Sequence, residues 1–231
     1  ALSAGDIAFT SFNADEDGLS FVTFKNIDAN TTIFFSDNEW GGSAFNTGES
    51  YNQWNSGSSQ IDAGSVIRFS AYDKTTLSAS TGTLSRVTVA SNTNWGISTT
   101  ADTIYAYLGS SATAPTTFLS AISNATDGSL VGTGLTEGTN AIRLNSIATG
   151  ATPDYAEYNG ARSGAASFDA YKAQVNNVAN WTIDTTNGSY ASTLPNTTAF
   201  SVTAVPEPKN YAMFLAGLGL MGLIARRKGK N

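Results

Sequence analysis

The sequence predicts an all-β protein, a β-sandwich of about ten strands with one short surface helix, followed by a C-terminal hydrophobic helix. Short apolar runs rich in β-branched and aromatic residues recur along residues 1–204, and such runs are typical of strands. Clusters of Gly, Asn, Asp and Ser separate the runs, as turns do. The 231 residues contain no cysteine, so we expect one large domain that is held together by its core alone.

The predicted strands follow one another at short intervals, and ten strands at such spacing imply two stacked sheets. The polar connection 13–18 is expected to be a turn between the first two strands. The strands are expected at 6–12, 19–26, 31–36, 65–71, 85–90, 103–108, 117–122, 141–146, 155–158 and 200–204.

One segment of the body has helical periodicity. Phe168, Tyr171, Val175 and Val178 are spaced by three, four and three residues, which places them on one face of a helix. We expect this face to pack against the sandwich, with Ser163 or Ser167 as the N-cap.

The last 27 residues differ from the body. A Pro-Glu-Pro motif and spacer occupy 205–210, an uncharged hydrophobic stretch runs from 211 to 225, and a basic terminus ends the chain. As a helix, the stretch would span roughly 22 Å, against about 30 Å for a bilayer core. We therefore expect a marginal membrane anchor whose basic end stays in the cytoplasm.

This ending resembles the PEP-CTERM sorting signal of Gram-negative bacteria. The residues that carry the resemblance are Pro206, Glu207, Pro208, Arg226, Arg227 and Lys228. It implies recognition by an exosortase, a membrane cysteine protease, and an exported surface or biofilm-matrix protein. We expect transient anchoring in the inner membrane and a final place at the outer surface or outside the cell. The start at Ala1, with methionines only at 213 and 221, predicts a mature form that has lost a signal peptide.

Small residues mark one face of the predicted tail helix. Such a face lets helices approach closely, so a retained tail could pack against copies of itself. The residues are Ala212, Ala216 and Gly219, with Gly222 at the edge.

Composition excludes several function classes. The chain has neither histidine nor cysteine, which removes Ser-His-Asp and Cys-His catalysis and zinc sites built on these ligands. Five of the twelve basic residues but only one of the eighteen acidic residues lie in 206–231, so the body carries a net charge of −10. Such a body repels phosphate backbones, and we expect no nucleic-acid binding.

The sequence 13–18 offers oxygen ligands at alternate positions before a glycine, as calcium loops do. The EF-hand pattern then fails, because its twelfth position is Phe24. A non-EF-hand calcium site formed by Asn13, Asp15 and Asp17 and completed from elsewhere by Asp37, Asp6 or Glu39 is one prediction. A solvated turn is the alternative.

Two further constellations suggest action on glycans. The four tryptophans could form a stacking platform for polysaccharide, although aromatic residues of a sandwich are more often core. Carboxylate pairs could hydrolyse glycosidic bonds if their separation suits that chemistry. The tryptophans are Trp40, Trp54, Trp95 and Trp181, and the carboxylates are Asp37 with Glu39 and Asp154 with Glu157.

The sequence thus predicts an exported, non-enzymatic surface or matrix protein. We expect it to associate with itself, as a filament or biofilm component, or with matrix polysaccharide. A carbohydrate-binding module is the first alternative and a calcium-dependent glycan-acting enzyme the second.

Overall fold

The computed structural model describes residues 1–90, 92–125, 129–203 and 213. In this part of the chain, strands form two six-stranded sheets, which confirms the predicted sandwich. In chain order the strands are β1 (Ile7–Asn13), β2 (Gly18–Thr23), β3 (Thr32–Ser36), β4 (Tyr51–Asn55), β5 (Val66–Ser70), β6 (Ser78–Ala79), β7 (Thr83–Arg86), β8 (Thr103–Ser111), β9 (Ala114–Ser123), β10 (Ala141–Arg143), β11 (Tyr155–Tyr158) and β12 (Trp181–Ile183).

The first sheet has the order β12-β11-β1-β2-β5-β6, and every pair in it is antiparallel. β1 and β2 form a hairpin around the turn 14–17, with Asn13 opposite Gly18. The alternation of buried and half-buried side chains along β5 has the period of two that a strand with one covered face requires.

The second sheet has the order β10-β9-β8-β3-β4-β7, with β9 and β10 parallel and the other pairs antiparallel. In β3, Ile33 and Phe35 face the first sheet, whereas Phe34 faces the opposite way. This sheet therefore buries residues on both faces.

Aromatic rings fill the space between the sheets. Phe21 and Phe69 of the first sheet contact Phe35 of the second at ring-centroid distances of 5.6 and 4.9 Å, and Phe21 also meets Trp54 at 5.6 Å. The Phe35–Phe69 and Phe21–Trp54 contacts are edge-to-face, and such aromatic pairs add about 0.5–1.5 kcal/mol each to the burial of the rings. The main core is therefore an aromatic layer that joins the sheets.

A second apolar cluster covers the outer face of the second sheet. Phe45 lies in the connection between β3 and β4 and contacts Trp40, Tyr105, Tyr107 and Phe118 at 5.0–6.0 Å between ring centroids. Connections, rather than another layer of strands, shield this face.

The sheet edges are short. β6 has two residues, β10 and β12 have three each, and β7 has four. Short edge strands leave few unpaired backbone groups for another chain to pair with.

The predicted helix is present as α1 (Asp169–Val175). Tyr171 and Val175 are fully buried against the core, as the periodicity predicts. The cap prediction is wrong: the N-cap is Phe168, without a side-chain cap hydrogen bond. The Ser167 carbonyl instead accepts from the Ala170 N–H at 3.2 Å and begins the turn.

Three strand predictions also need correction. The segment 85–90 is strand only as far as Arg86, the end of β7. Residues 200–203 form no strand, and Val202 makes only an isolated bridge with Ala165. The segment 141–146 is strand only as far as Arg143, because Leu144–Ser146 turns into a 3-10 helix.

The described chain leaves the sandwich beside the end of β2. The Phe200 N–H donates to the Gly64 carbonyl at 2.8 Å, and the Gly64 N–H donates to the Thr23 carbonyl at 2.7 Å. The C-terminal segment therefore attaches at the end of the first sheet that is opposite the β1–β2 turn.

Candidate functional site

Carboxylates gather at the end of the sandwich that carries the β1–β2 turn. We call this end the acidic pole and define it by Asp15, Asp17, Asp37, Asp73, Asp102, Asp154 and Asp184, each of which lies in the β1–β2 turn or next to a strand end. The two sheets meet here through one loop. The Ile97 N–H donates to Asp17 Oδ1 in the first sheet, and the Ser98 N–H donates to Asp102 Oδ2 beside the second at 2.8 Å.

Within the β1–β2 turn, side chains of the predicted calcium loop bind backbone groups of the protein. Asn13 Oδ1 accepts from the N–H groups of Asp15 and Glu16 at 3.2 and 3.1 Å. Asp15 Oδ2 accepts from the Tyr190 N–H at 2.7 Å. These bonds stabilise the turn and tie it to residue 190, so they give Asn13 and Asp15 a structural role.

Asp17 has a different environment from its neighbours in the turn. Its backbone is left-handed, with φ of 54°. Burial raises the pKa of its carboxyl to about 6, with a contribution from the charge of Asp73, while the Ile97 N–H opposes the shift. The turn therefore holds an acid that is costly to ionise.

The fourth predicted calcium ligand, Asp37, lies apart from this turn. It follows β3, has 1% of its surface exposed, and accepts at Oδ1 from both the N–H and the hydroxyl of Ser50, each at 2.7 Å. In the described part of the chain, no group of three or more His, Cys, Asp and Glu side chains is arranged to hold a metal ion. The four predicted calcium ligands thus lie in two separate environments, with three at the β1–β2 turn and Asp37 beyond the end of β3.

Asp37 belongs to a set of buried polar side chains between the sheets, which we call the buried polar cluster. Burial raises the pKa of Asp37 to about 7, with the Glu49 charge adding to the shift. Burial also raises the pKa of Asp102, and Asp37 contributes to that shift. The members are Asp37, Ser50, Asn52, Tyr72 and Asp102.

A second acidic pair lies where β11 begins and β12 ends. Burial raises the pKa of Asp154 to about 6, with Asp184 and Asp15 close by. Although burial opposes it, hydrogen bonds from Thr186 and Gly188 hold the pKa of Asp184 below its ordinary value. Asp154 is thus the proton acceptor of the pair as pH falls.

The carboxylates considered for glycan hydrolysis do not share one environment. Glu39 is exposed, whereas Asp37 is buried. Glu157 accepts from the Tyr155 hydroxyl at 2.9 Å and from the Asn196 N–H, whereas Asp154 is buried beside Asp184.

The four tryptophans lie in four different places. Trp54 is fully buried in the core, and Trp40 and Trp181 are 7% and 8% exposed. Trp95 is half-buried, with the Arg86 guanidinium 4.1 Å from its ring centroid. The structure does not bring these rings together as one surface for a glycan.

Sequence reasoning missed most of the buried polar cluster. Asn52, Tyr72 and Asp102 carry no local motif, since strand pairing brings them together from distant parts of the chain. The available signal was a pair of amides between the aromatic residues Tyr51 and Trp54, and an aspartate directly before the apolar strand β8.

The sorting residues and the predicted helix-packing residues lie outside the described part of the chain. In the part that is described, no helix is long and apolar enough to cross a membrane.

Comparison with known families identifies the sequence motif at the C-terminal end of the chain. Residues 204–228 match the family model described as the PEP-CTERM protein-sorting motif, which confirms the resemblance. A chain with this signal is exported, passes through a membrane-anchored stage, is processed by exosortase and is sorted to the cell surface. Comparisons with curated proteins and with solved structures give no match.

Proposed function

We propose that this chain, which carries a PEP-CTERM sorting signal, is a non-catalytic structural component of the cell surface or extracellular matrix that acts by self-association. The observation that carries the proposal is the sorting motif at residues 204–228. It follows a β-sandwich that has its own aromatic core. Only 13% of the residues are charged, so uncharged faces are available for contact between copies, while the net charge of −10 on the body opposes their approach at low salt.

The sheet edges bear on the route of assembly. Edges of two to four residues offer little backbone for sheet-to-sheet pairing. We therefore expect copies to meet through the tail or through outer faces rather than by strand addition. If the tail forms the helix that its sequence predicts, the small residues Ala212, Ala216, Gly219 and Gly222 suit tail-to-tail packing.

The apolar sequence of the tail favours the same route. The uncharged stretch 211–225 is stable in water only if a membrane or other copies cover it. The fate of the tail therefore decides between anchoring and assembly through this segment.

Material released from cells tests the proposal. Intact-mass spectrometry shows whether the tail is present: a mass of 24.0 kDa means retention, and a mass ending near Pro208 means processing. Negative-stain microscopy of the same material is expected to show ordered assemblies. Dispersed monomers alone would refute self-association.

A variant pair separates tail packing from other routes. Ala216→Leu with Gly219→Leu places bulk on the small-residue face, while Leu218→Ile keeps bulk and hydrophobicity on another face. If the retained tail is the contact, the first variant loses assembly and the second keeps it. Normal assembly of both variants would place the contact on the sandwich.

A further inference from the structure

The buried polar cluster contains side-chain atoms that no protein group satisfies. Asp37 Oδ2 is buried and accepts no hydrogen bond from the described residues, although Oδ1 of the same carboxylate accepts two. A buried carboxylate oxygen without a partner costs on the order of 1–3 kcal/mol or more. Asp37 Oδ2 is therefore available to bind a ligand that the described protein groups do not supply.

Asn52 strengthens this observation. It is fully buried, and neither its side-chain oxygen nor its side-chain nitrogen has a hydrogen-bond partner among the described residues. It lies opposite Phe35 in the pairing of β3 with β4. The residue before it, Tyr51, belongs to the second apolar cluster, on the outer face of the second sheet. Because side chains alternate along a strand, Asn52 points into the space between the sheets.

Tyr72 closes the cluster from the first sheet. It is fully buried, and its hydroxyl lies beside the Asn52 amide and the Ser50 hydroxyl without a hydrogen bond of normal geometry. The charges of Asp37 and Asp102 both act on it. Three orphaned polar groups therefore converge from three separate segments of the chain.

The cluster also holds uncompensated negative charge. Asp102 is a second buried aspartate, and the half-buried Glu49 acts electrostatically on both Asp37 and Asp102. No ion pair between described residues involves any of the three. Hydrogen bonds from Ser50 and Ser98 offset part of the cost of burying these two carboxylates, and protonation or a bound cation would offset the rest.

We propose that the buried polar cluster is a calcium site, with Asp37 Oδ2 and the Asn52 carbonyl oxygen as protein ligands. Carboxylate, amide and hydroxyl oxygens are the ligands that this hard cation prefers. Asp102 supplies the second negative charge, and water completes the coordination. The Tyr72 hydroxyl donates to a bound water or to the carboxylate.

This site differs from the loop that sequence spacing suggests. It keeps Asp37 but replaces the residues of the turn with Asn52 and Asp102. It combines two carboxylates with neutral oxygens, whereas the described residues contain no group of three or more His, Cys, Asp and Glu side chains that could hold a metal ion.

Calcium binding is tested first on the full chain in a mild detergent, after treatment with a chelator. Extracellular calcium modules bind at about 10⁻⁴–10⁻³ M. At 10 mM calcium we therefore expect the unfolding midpoint to rise by roughly 3–10 °C. Magnesium at the same concentration is expected to give a smaller rise, because it dehydrates reluctantly and demands octahedral geometry. No rise with calcium, or an equal rise with magnesium, would overturn the proposal.

Variants then locate the ion. Asp37→Asn keeps the oxygen that accepts from Ser50, so it is expected to fold while losing the calcium-dependent rise. Asn52→Leu removes the amide without a large change in volume and serves if the first variant is unstable. Asp62→Asn, at an exposed aspartate, is the matched control and keeps the response. Calorimetric titration should show one site fewer in the first two variants. An unchanged response in both would refute the site.

Discussion

Replacing Asp17 with Asn should make this protein more stable at neutral pH. Asp17 has a left-handed backbone, a conformation that Asn tolerates well. Its Oδ1 accepts from the Ile97 N–H, and an amide oxygen at the same position can accept that bond. The change therefore removes the charge while it keeps the hydrogen bond and the turn.

The pKa shift of Asp17 gives the magnitude. Burial and the charge of Asp73 raise this pKa from 3.8 to about 6. At about 1.4 kcal/mol per pKa unit, ionisation costs the folded state near 3 kcal/mol. Partial solvent access screens the charge, so we expect a gain of about 1–2 kcal/mol in the free energy of unfolding.

The sign of the pH dependence follows from the direction of the shift. Because the folded-state pKa is the higher one, the folded protein holds this proton more tightly than the unfolded chain does. That stabilisation is complete below the unfolded pKa near 4 and is lost as pH rises through about 6. Asp17→Asn should therefore exceed the wild type at pH 8 and match it near pH 4.

Urea denaturation of the full chain in mild detergent and EDTA, at pH 4 and pH 8, measures the effect. Asp62→Asn serves as the control, because Asp62 is exposed and removal of its charge should change little at either pH. A loss of stability at pH 8, or the same gain at both pH values, would refute the reasoning.

Two further predictions concern the opposite end of the sandwich and one tight turn. Asp6 is buried, accepts from the Ser3 N–H at 2.8 Å and pairs with Lys25 at 3.0 Å; burial opposes ionisation, but these contacts lower its pKa. Asp6→Asn should cost about 1–3 kcal/mol at pH 7. The deficit should shrink below pH 4 as the wild type loses the same charge, and a deficit independent of pH in urea titrations would contradict this cause. Gly82→Ala places a Cβ 2.3 Å from the Asn55 carbonyl oxygen, at a φ of +76°, and should lower the thermal midpoint far more than Gly57→Ala. That second glycine also has a positive φ but open space around it, so its change should cost only the backbone strain of about 1–2 kcal/mol. Equal costs in the two variants would rule out the clash.

Periodicity located most of the sandwich because apolar alternation records which face of a strand is covered. β2, β5, β8 and β11 lie within or near the predicted segments for this reason. β4 was missed because its sequence, Tyr-Asn-Gln-Trp-Asn, has polar amides that are typical of turns. One of those amides is Asn52, whose strand places it in the core.

The candidate site was less predictable for a related reason. Local spacing correctly selected an acidic turn, but spacing cannot say whether an oxygen meets a cation or a backbone N–H. In the structure, the Tyr190 N–H donates to the Asp15 carboxylate and the Ile97 N–H donates to the Asp17 carboxylate. Asp37, Asn52 and Asp102 come together only through the register of β3 with β4 and β8, which is a non-local property.

The place where the chain leaves the sandwich determines how the body can be oriented. Phe200 attaches beside Gly64 and Thr23, at one end of β2, and the acidic pole lies at the other end. A strand of this length separates them by roughly 17–20 Å. A molecule held by its C-terminus therefore carries the acidic pole on the side away from the attachment point. Because the aspartates of that pole are buried or half-buried, a layer of such molecules would hold these acids just beneath its outer surface.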